Sequence, residues 1–220
     1  MLNPTARLSI PRATSARNVT AMEFQDVVRG RRMVRSFLDR PLPEGALDRI
    51  LANAQRAPSA GFSQGWAFIV LDGPAETATF WDTVSDEDWR SQPRGSGLVK
   101  APAIVIPLSH KQAYLDRYRQ PDKAYAGRQE EWAWPVPYWD VDAGFASLLM
   151  LLTAVDLGLG AVFFGIPQRE DALLDRLGVP EGFHPVGAIA IGWPDPADPP
   201  SPSLQRGRRP DTEVIHRAHW

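Results

Sequence analysis

The sequence predicts a single mixed domain, α/β or α+β, in which helices surround a buried sheet of about four strands. Three observations predict this fold class: apolar runs of strand length, amphipathic segments of helical spacing between them, and one long apolar helix. The 220 residues are enough to bury a substantial core, and the 44% hydrophobic and 23% charged residues are ordinary for a globular protein.

The first half of the chain alternates predicted helices and strands. A short helix is predicted over 22–30 and a second one between Pro43 and Pro58, each with apolar residues at helical spacing. The apolar runs at 66–72 and 103–109 have the length of buried strands, and a helix from 75 to 84 fits between them. The apolar positions that indicate the two helices are Phe24, Val27 and Val28, then Leu47, Ile50, Leu51 and Ala54.

The second half begins with an aromatic and charged stretch, 110–139, which is predicted to be irregular. A helix from 140 to 157 follows; it is apolar most of the way round, so it is predicted to be the buried central helix, with Gly158 as its stop. The proline-rich segment 194–220 looks too extended to pack by itself. The remaining predicted elements are a strand at "AVFFGI", a helix at "REDALLDRLG" and a strand at "PVGAIAIGW".

Composition and charge exclude several classes of function. The formal charge of −2 gives no overall attraction to nucleic acid or to a membrane surface, and no apolar run approaches the roughly 20 residues that span a bilayer. The absence of cysteine excludes disulfides, thiolate metal sites and a cysteine nucleophile. Residues 1–21 contain no acid and loosely match a transit peptide, but a disordered arm, or a true start at Met22, is the better interpretation. We therefore expect a cytoplasmic protein without nucleic-acid or membrane partners.

Three familiar patterns fail on their context. "GFSQG" (61–65) fits the nucleophile elbow of hydrolases, but a helix precedes it and a strand follows it, which is the reverse of the order that the elbow needs. "GLGAVFFG" (158–165) closes a helix and opens a strand, whereas a dinucleotide fold needs its glycines between a strand and a helix. His216 and His219 form H-x-x-H with only one close carboxylate, so we expect no metal site.

Two arginine clusters point to an anionic ligand. "RRMVRSF" (31–37) and "QRGRRP" (205–210) lie near opposite ends of the domain. The planar guanidinium group binds phosphate through two hydrogen bonds, and two converging clusters could neutralise a phosphate dianion. Two alternatives remain for each cluster: solvated surface charge, or ion pairs with acids that are close in sequence. Those acids are Asp39, Glu44 and Asp211.

Taken in order, four motifs resemble the FMN-dependent nitroreductase family. They are "RRMVRSF" with a following P-L-P, "APSAGFSQGWAFIV", "GLGAVFFG" and "RGRRP…VIHRAHW", and the resemblance runs from Phe24 to Trp220. It implies an α+β fold in which helices surround a four-stranded antiparallel sheet. It also implies an intertwined homodimer in which the C-terminal strand is exchanged. Residues 22–220 would form one FMN-binding domain, with the tail 194–220 reaching the partner subunit.

The same resemblance implies where FMN is held. Arg31 and Arg32 would meet the ribityl phosphate, and Arg206 and Arg208 in the tail would complete the clamp. Arg35 would reach the N1–O2 edge of the flavin, where a cation suits the negative charge of the reduced form. Met33 stands in the first motif in place of the more usual serine. The other implied cofactor-binding residues are Pro58, Ser59, Ala60 and Gln64, which border the ring from the partner subunit, and Phe164, Gly165 and Ile166, which pass the flavin N5.

The chain also departs from the family pattern near the predicted ring. Phe62 stands where asparagine is common and cannot donate an amide hydrogen bond, and Gly65 stands where proline is common. An aromatic mouth for the substrate is predicted, with filling of the core or of the dimer interface as the alternative for most of its members. Its candidate residues are Phe62, Tyr125, Trp132, Trp134, Tyr138 and Trp139.

The reaction that the resemblance implies is a ping-pong transfer of a hydride. NAD(P)H would reduce FMN, and the same face would then reduce a flat, electron-poor acceptor such as a nitroaromatic or a quinone. No catalytic side chain is needed, because the cofactor carries the chemistry. The alternatives are a flavin storage or redox-sensing protein with little turnover, or a relative that modifies flavins or deazaflavins or removes halogens.

Overall fold

The computed structural model of the protein describes residues 22–166 and 168–220, so the predicted N-terminal arm, 1–21, lies outside the described residues. Within these residues, antiparallel strands form one sheet in the order β1-β2-β5-β3, and a short β4 continues the line of β5 along β2. The strands are β1 (Trp66–Asp72), β2 (Ala103–His110), β3 (Gly160–Phe164), β4 (Phe183–Pro185) and β5 (Ala188–Gly192). The predicted antiparallel sheet surrounded by helices is therefore confirmed.

Side chains alternate between the two faces of the sheet, and each face is covered by its own core. In β5, Ala188 and Ala190 belong to one core, while Ile189 and Ile191 belong to the other. The helices that cover these faces and the sheet edges are α1 (Phe24–Gly30), α2 (Ala46–Ala54), α3 (Pro74–Val84), α4 (Glu87–Ser91), α5 (Pro93–Leu98), α6 (Lys111–Arg119), α7 (Tyr138–Asp156) and α8 (Glu170–Arg176).

The prediction that 110–139 is irregular is wrong for its first part, where α6 forms. Most positions of α6 are charged or polar, which hides the helical period in the sequence. Only Tyr114 and Leu115 are buried, and they pack into a small aromatic core with Trp134 and Trp139. The helix is therefore stabilised by packing against Trp134 and Trp139, which lie in a later segment of the chain.

The long helix α7 packs one face on the sheet through Ala146, Met150 and Ala154. Its other face leaves Phe145 and Leu148 exposed, so the predicted central helix is only half buried. By length and composition alone, its 19 residues could cross a membrane, which corrects the expectation that no segment comes close. Its packing against the sheet is that of a core helix.

The C-terminal segment has no strand in this single chain. From Pro194 it turns back across the arginine motif, and from Pro202 onward every residue is exposed. Two short 3₁₀ turns, Pro202–Arg206 and Asp211–Glu213, are its regular structure. From Pro202 onward the segment therefore has no residue buried against the body of this chain, and exchange of a strand with a partner subunit stays a prediction.

Candidate functional site

The arginine motif 31–37 runs as an extended segment along the edge strand β3. Met33 forms a parallel bridge with Ala161, and the Val34 N–H donates to the Ala161 carbonyl at 3.1 Å. Val34 and Phe37 are buried in the core, which fixes the backbone between the arginines. The guanidinium groups are therefore held at the sheet edge by apolar neighbours and backbone contacts.

A carboxylate that the sequence analysis did not consider closes this motif from the tail. The Asp198 side chain, only 2% exposed, forms an ion pair with Arg32 and accepts a hydrogen bond from the Arg35 backbone N–H at 3.2 Å. The Asp195 N–H donates to the Ser36 carbonyl at 3.0 Å, which ties the base of the tail to the motif. Of the two alternatives for the first cluster, an ion pair is thus formed by Arg32, but with an acid far away in sequence.

None of the three acids proposed from the sequence pairs with either arginine cluster. Asp39, Glu44 and Asp211 form no ion pair with any residue that the structure describes. The signal for Asp198 in the sequence is weak: it is one of two acids in the proline-rich run "WPDPADPP".

Arg35 lines two adjoining cavities together with Arg94, a residue to which the sequence motifs give no role. The smaller cavity, about 230 Å³, also has Phe164 and Gly165 in its wall. The larger one, about 680 Å³, lies against the base of the tail and includes Asp198. The structure thus brings together Arg35, Phe164 and Gly165, which the sequence analysis assigns to one cofactor.

The pKa of Arg35 lies below its ordinary value because the guanidinium is partly buried and because the charge of Arg94 is close by. Asp198 opposes this effect with its negative charge. Arg35 and Arg94 therefore concentrate positive charge at the two cavities that they line, although the formal charge of the whole chain is −2.

An aromatic stack forms the wall of the smaller cavity. The Trp81 ring lies between Phe164 and Trp89, with centroids 5.9 Å and 5.6 Å away, and both pairs are stacked. The Phe164 side chain packs against the core, so its contribution to a ligand would come from the backbone. A Cβ at Gly165 would meet nothing within 4 Å, which means that the space next to this glycine is open for a ligand.

The segment 58–64, called the 58–64 loop below, is conformationally strained. Gly61, Phe62 and Gln64 have φ of 62°, 57° and 51°. Residues other than glycine rarely adopt this left-handed region, so the strain lies at Phe62 and Gln64. Inside the loop, the Gln64 N–H donates to the Ser59 hydroxyl at 3.0 Å. Strained residues persist only where the surrounding structure holds them, and they cluster at functional sites.

Side chains from α6 and α7 hold the 58–64 loop in place. Asp142, buried on α7, accepts a hydrogen bond from the Ala60 N–H at 2.8 Å and another from the Tyr114 hydroxyl at 2.8 Å. Arg117 donates from Nε to the Gly61 carbonyl at 2.9 Å and is itself fixed by Asp122. Burial, followed by the hydrogen bond to Asp142, raises the pKa of Tyr114.

The structure explains why proline does not stand at position 65. A Cβ on Gly65 would lie 2.4 Å from the Tyr114 ring and 2.9 Å from the His110 carbonyl oxygen. Tyr114 therefore occupies the space that a larger residue would need, and the departure from the family pattern is linked to the presence of α6.

The six predicted substrate-pocket residues separate into two groups. Trp134 and Trp139 are buried with Tyr114, and the Trp134 indole donates to the Arg128 carbonyl at 2.9 Å. Phe62, Tyr125, Trp132 and Tyr138 are exposed. In this chain, the first two fill the interior, which leaves the exposed four as the candidates for contact with a substrate.

The remaining predicted site residues do not meet in this single chain. Arg206 and Arg208 are exposed, and no hydrogen bond or ion pair among the described residues joins them to the motif 31–37. Pro58, Ser59, Ala60 and Gln64 belong to the 58–64 loop, whose contacts are described above. Ser63, in the elbow-like pattern, donates its hydroxyl to the Ala60 carbonyl at 2.6 Å, so that group is committed within the loop.

A serine, a histidine and an aspartate also meet at the end of β2. The Ser109 hydroxyl lies 2.6 Å from Asp140 Oδ1 and 2.9 Å from His184 Nε2. Asp140 Oδ1 lies 3.1 Å from the same Nε2 atom. A catalytic triad needs the aspartate on the other ring nitrogen, and Ser109 is fully buried, so this cluster ties β2, β4 and α7 together.

Comparisons with known proteins agree with this architecture. The model of the Nitroreductase family matches residues 28–193. An Archaeoglobus fulgidus protein, provisionally named NADH dehydrogenase/NAD(P)H nitroreductase, is 28% identical over 86% of this chain and 94% of its own. The 5,6-dimethylbenzimidazole synthase of Rhodobacter capsulatus is 27% identical over 89% of each chain. A solved Exiguobacterium sibiricum structure, described provisionally as a nitroreductase in complex with FMN, has a TM-score of 0.67 and 20% identity over 90% of this chain and 98% of that one.

Proposed function

This chain belongs to the nitroreductase family, and from that premise we propose that it is an FMN-dependent oxidoreductase that uses NAD(P)H. Its acceptor is a flat, electron-poor molecule such as a nitroaromatic or a quinone. The observation that carries the proposal is the cavity that Arg35 shares with Phe164 and Gly165. The name of the archaeal relative, and the FMN in one structural neighbour, support the nicotinamide donor and the flavin.

The residues around this cavity fit a flavin. Arg35 supplies a cation for the N1–O2 edge, and the open space beside Gly165 leaves room for close approach of a ring to the backbone N–H groups of Gly165 and Ile166. Arg31 is partly buried and is proposed to contact the phosphate together with Arg32. Because a guanidinium has five N–H donors, Arg32 can keep its ion pair with Asp198 and still donate to a phosphate.

Bound FMN supplies the chemistry, by accepting a hydride from NAD(P)H and then passing it to the acceptor in a ping-pong cycle. The chain supplies electrostatics and position. Arg35 stabilises negative charge at the flavin edge, and the stack of Phe164, Trp81 and Trp89 keeps water away from one side of the cavity. No described side chain has to act as an acid, a base or a nucleophile in this scheme.

The proposal includes a homodimer. Apolar side chains on α1 and α7 are exposed in the single chain: Phe24, Val28, Phe145 and Leu148. The part of the tail from Pro202 onward, in which every residue is exposed, carries Leu204, Val214, Ile215 and Trp220. A second copy that covers these surfaces and receives the tail would also bring the tail arginines and the 58–64 loop to the flavin. Because the proposed donor is NAD(P)H, the proposed location is the cytoplasm.

The test begins with the purified protein. We expect bound or readily reconstituted FMN, bleaching of the flavin by NADH or NADPH under nitrogen, and recovery of the colour with a quinone. Arg35→Gln should weaken FMN binding and slow bleaching, whereas Lys100→Gln, at an exposed position that lines neither cavity, should do neither. Failure to bind FMN would refute the cofactor, and a bound flavin that neither nucleotide reduces would leave the storage or sensing alternative.

A second candidate is favoured by the relative from Rhodobacter capsulatus, which is named as a 5,6-dimethylbenzimidazole synthase and matches most of the chain. In this candidate the flavin itself is the substrate. Chromatography of the reaction after aerobic turnover decides between the two. Full recovery of FMN supports the oxidoreductase, whereas stoichiometric loss of FMN with the appearance of a benzimidazole supports the second candidate.

A further inference from the structure

A restricted turn at the base of the tail brings Asp198 to the arginine motif. Pro194 forms an antiparallel bridge with Phe37, and the Leu38 N–H donates to the Trp193 carbonyl at 2.9 Å, so the chain leaves β5 alongside the motif. The run "WPDPADPP" that follows contains four prolines, whose rings limit the backbone to few conformations. The path of the chain toward Asp198 is therefore set by the fold before any ligand binds.

Asp195 closes this turn with backbone and side-chain contacts. Its carboxylate accepts a hydrogen bond from the Ala197 N–H at 2.8 Å, and its carbonyl accepts one from the Asp198 N–H at 2.9 Å. Its own N–H donates to the Ser36 carbonyl at 3.0 Å. The Asp198 carboxylate is thus placed over the motif by the backbone and not by attraction to the arginines alone.

The two oxygens of the Asp198 carboxylate have different partners. Oδ2 pairs with Nη1 of Arg32, and Oδ1 accepts from the Arg35 backbone N–H at 3.2 Å. Because the side chain is only 2% exposed, these contacts must offset the cost of removing its charge from water. A buried ion pair adds little net stability compared with apolar packing, so this one is better explained by the geometry that it imposes on Arg32.

Arg32 remains available to a ligand while Asp198 holds it. Its side chain is 45% exposed, and its side-chain hydrogen bonds within the described residues engage only Nη1. A guanidinium held at one nitrogen loses less conformational freedom when it binds an anion. Its other donors can then form charge-assisted hydrogen bonds with a phosphate.

We infer that Asp198 is a positioning residue for the cofactor: it presets the Arg32 guanidinium for the phosphate of FMN and thereby makes the site select FMN over riboflavin. The inference rests on the proposed function and extends the cofactor site to a residue outside the four family-like motifs. Riboflavin has the same ring system as FMN but lacks the phosphate. A role through Arg32 therefore changes the affinity for FMN alone, whereas general damage to the site would change both affinities.

The experiment measures the dissociation constants of FMN and riboflavin, by flavin fluorescence, on the full-length protein freed of its flavin. We expect wild type to prefer FMN. Asp198→Asn should lower the ratio of FMN affinity to riboflavin affinity by about 10-fold, the lower end of what is lost when a residue that orients a ligand-binding side chain is replaced. The affinity for riboflavin should stay within about twofold of wild type.

Asp195→Asn is the matched control, because it is the same change from acid to amide in the same turn. The Asp195 side chain contacts Ser36 and Ala197 and not an arginine, and the amide oxygen of asparagine can still accept from the Ala197 N–H. This variant removes an equal charge and should leave the affinity ratio within about twofold of wild type.

Variants of Arg32 show whether Asp198 acts through that residue. Arg32→Gln and the double variant Asp198→Asn/Arg32→Gln should have the same affinity ratio, because Asp198 has nothing to orient once the guanidinium is gone. Arg32→Lys keeps the charge beside Asp198 but lacks the planar fork, so it should also lose the preference for FMN. If Asp198→Asn did not fold, a wild-type preference in Arg32→Lys would overturn the inference and a lost preference would support it.

The outcomes separate this inference from the proposed function. An unchanged ratio in Asp198→Asn would overturn the inference, and so would equal weakening of FMN and riboflavin, which would make Asp198 a purely structural residue. Additive losses in the double variant would also overturn it. Wild type that bound both flavins equally would overturn the inference but leave the proposed function in place, whereas wild type that bound neither would refute the proposed function.

Discussion

The arginine motif 31–37 and the 58–64 loop are both predicted to border the flavin, but the protein holds them in different ways. The motif is fixed through its backbone and its buried residues: Met33 bridges to β3, while Val34 and Phe37 fill the core. The loop has no strand neighbour and is fixed by the side chains of Tyr114, Arg117 and Asp142.

This difference decides how each region should respond to change. Because the arginine motif is anchored by residues of the core, it should lose its structure only when the core unfolds. Its arginines can therefore be replaced without loss of the fold. A loop with non-glycine residues in the left-handed region carries strain of about 1–3 kcal/mol per residue, which its few polar contacts must offset. Damage to the motif's anchors should therefore lower global stability, whereas damage to the loop's contacts should first show locally.

The largest loss of stability is expected at Phe37, which anchors the arginine motif in the core. Phe37→Ala removes a fully buried ring and should lower the free energy of unfolding by about 4 kcal/mol. Urea unfolding measures this change, and hydrogen exchange should speed up across β3 and β5 together. Leu38→Ala, at the exposed neighbouring position, should cost less than about 1 kcal/mol. Similar losses in the two variants would show that the motif is not anchored through Phe37.

The second-largest loss of stability is expected when the 58–64 loop loses its contacts with α7. Asp142→Ala leaves the partly buried Ala60 N–H and the buried Tyr114 hydroxyl without their acceptor and should cost about 3 kcal/mol. Hydrogen exchange should rise first at residues 60–64. The control is Asp156→Ala on the same helix, which breaks an ion pair with Arg49 at the surface and should cost under about 1 kcal/mol. Uniform exchange across the sheet in Asp142→Ala would mean that the loop is not a separate unit.

Much of the fold could be predicted from the sequence, because its signals are local. The strand at 66–72 was predicted with the bounds that the structure gives, and the long helix differs by one or two residues at its ends. The apolar runs of these elements face the two cores, so their pattern is visible without the rest of the chain. The helix α6 was missed because only two of its residues are buried, by aromatic residues from another segment.

Only those residues of the candidate site that lie in a recognisable sequence motif could be predicted. Arg35 and Gly165 could be placed by resemblance, and the structure puts them in one cavity. Asp198 and Arg94 could not be placed, because each reaches the motif through tertiary packing over a separation of many residues. The same reason explains Gly65: its need for glycine comes from Tyr114, which no local pattern connects to it.

A smaller effect is expected at Gly65. Gly65→Ala places a methyl group against the Tyr114 ring and the His110 carbonyl, and should cost about 2 kcal/mol through forced displacement of the loop and α6. Gly144→Ala is the contrasting control: its Cβ meets nothing within 4 Å inside α7, so it should add about 0.5–1 kcal/mol of stability. Thermal unfolding of both variants measures the two opposite shifts. A neutral Gly65→Ala would show that Tyr114 does not hold the loop in this position.

The smallest effect depends on pH and isolates the Tyr114–Asp142 contact. Burial and the hydrogen bond raise the pKa of Tyr114, so its neutral form is favoured in the folded state. The resulting stability is fully present below the ordinary tyrosine pKa of about 10 and is lost as the pH rises above it, by at most ~1.4 kcal/mol per pH unit. Tyr114→Phe should therefore be less stable than wild type at pH 8 by about 1 kcal/mol, and this difference should shrink between pH 10 and 11. Chemical unfolding of both proteins across that range measures the gap. A gap that stays constant would mean that Tyr114 ionises equally in the folded and unfolded chains, so that its burial and its hydrogen bond to Asp142 do not favour the neutral form.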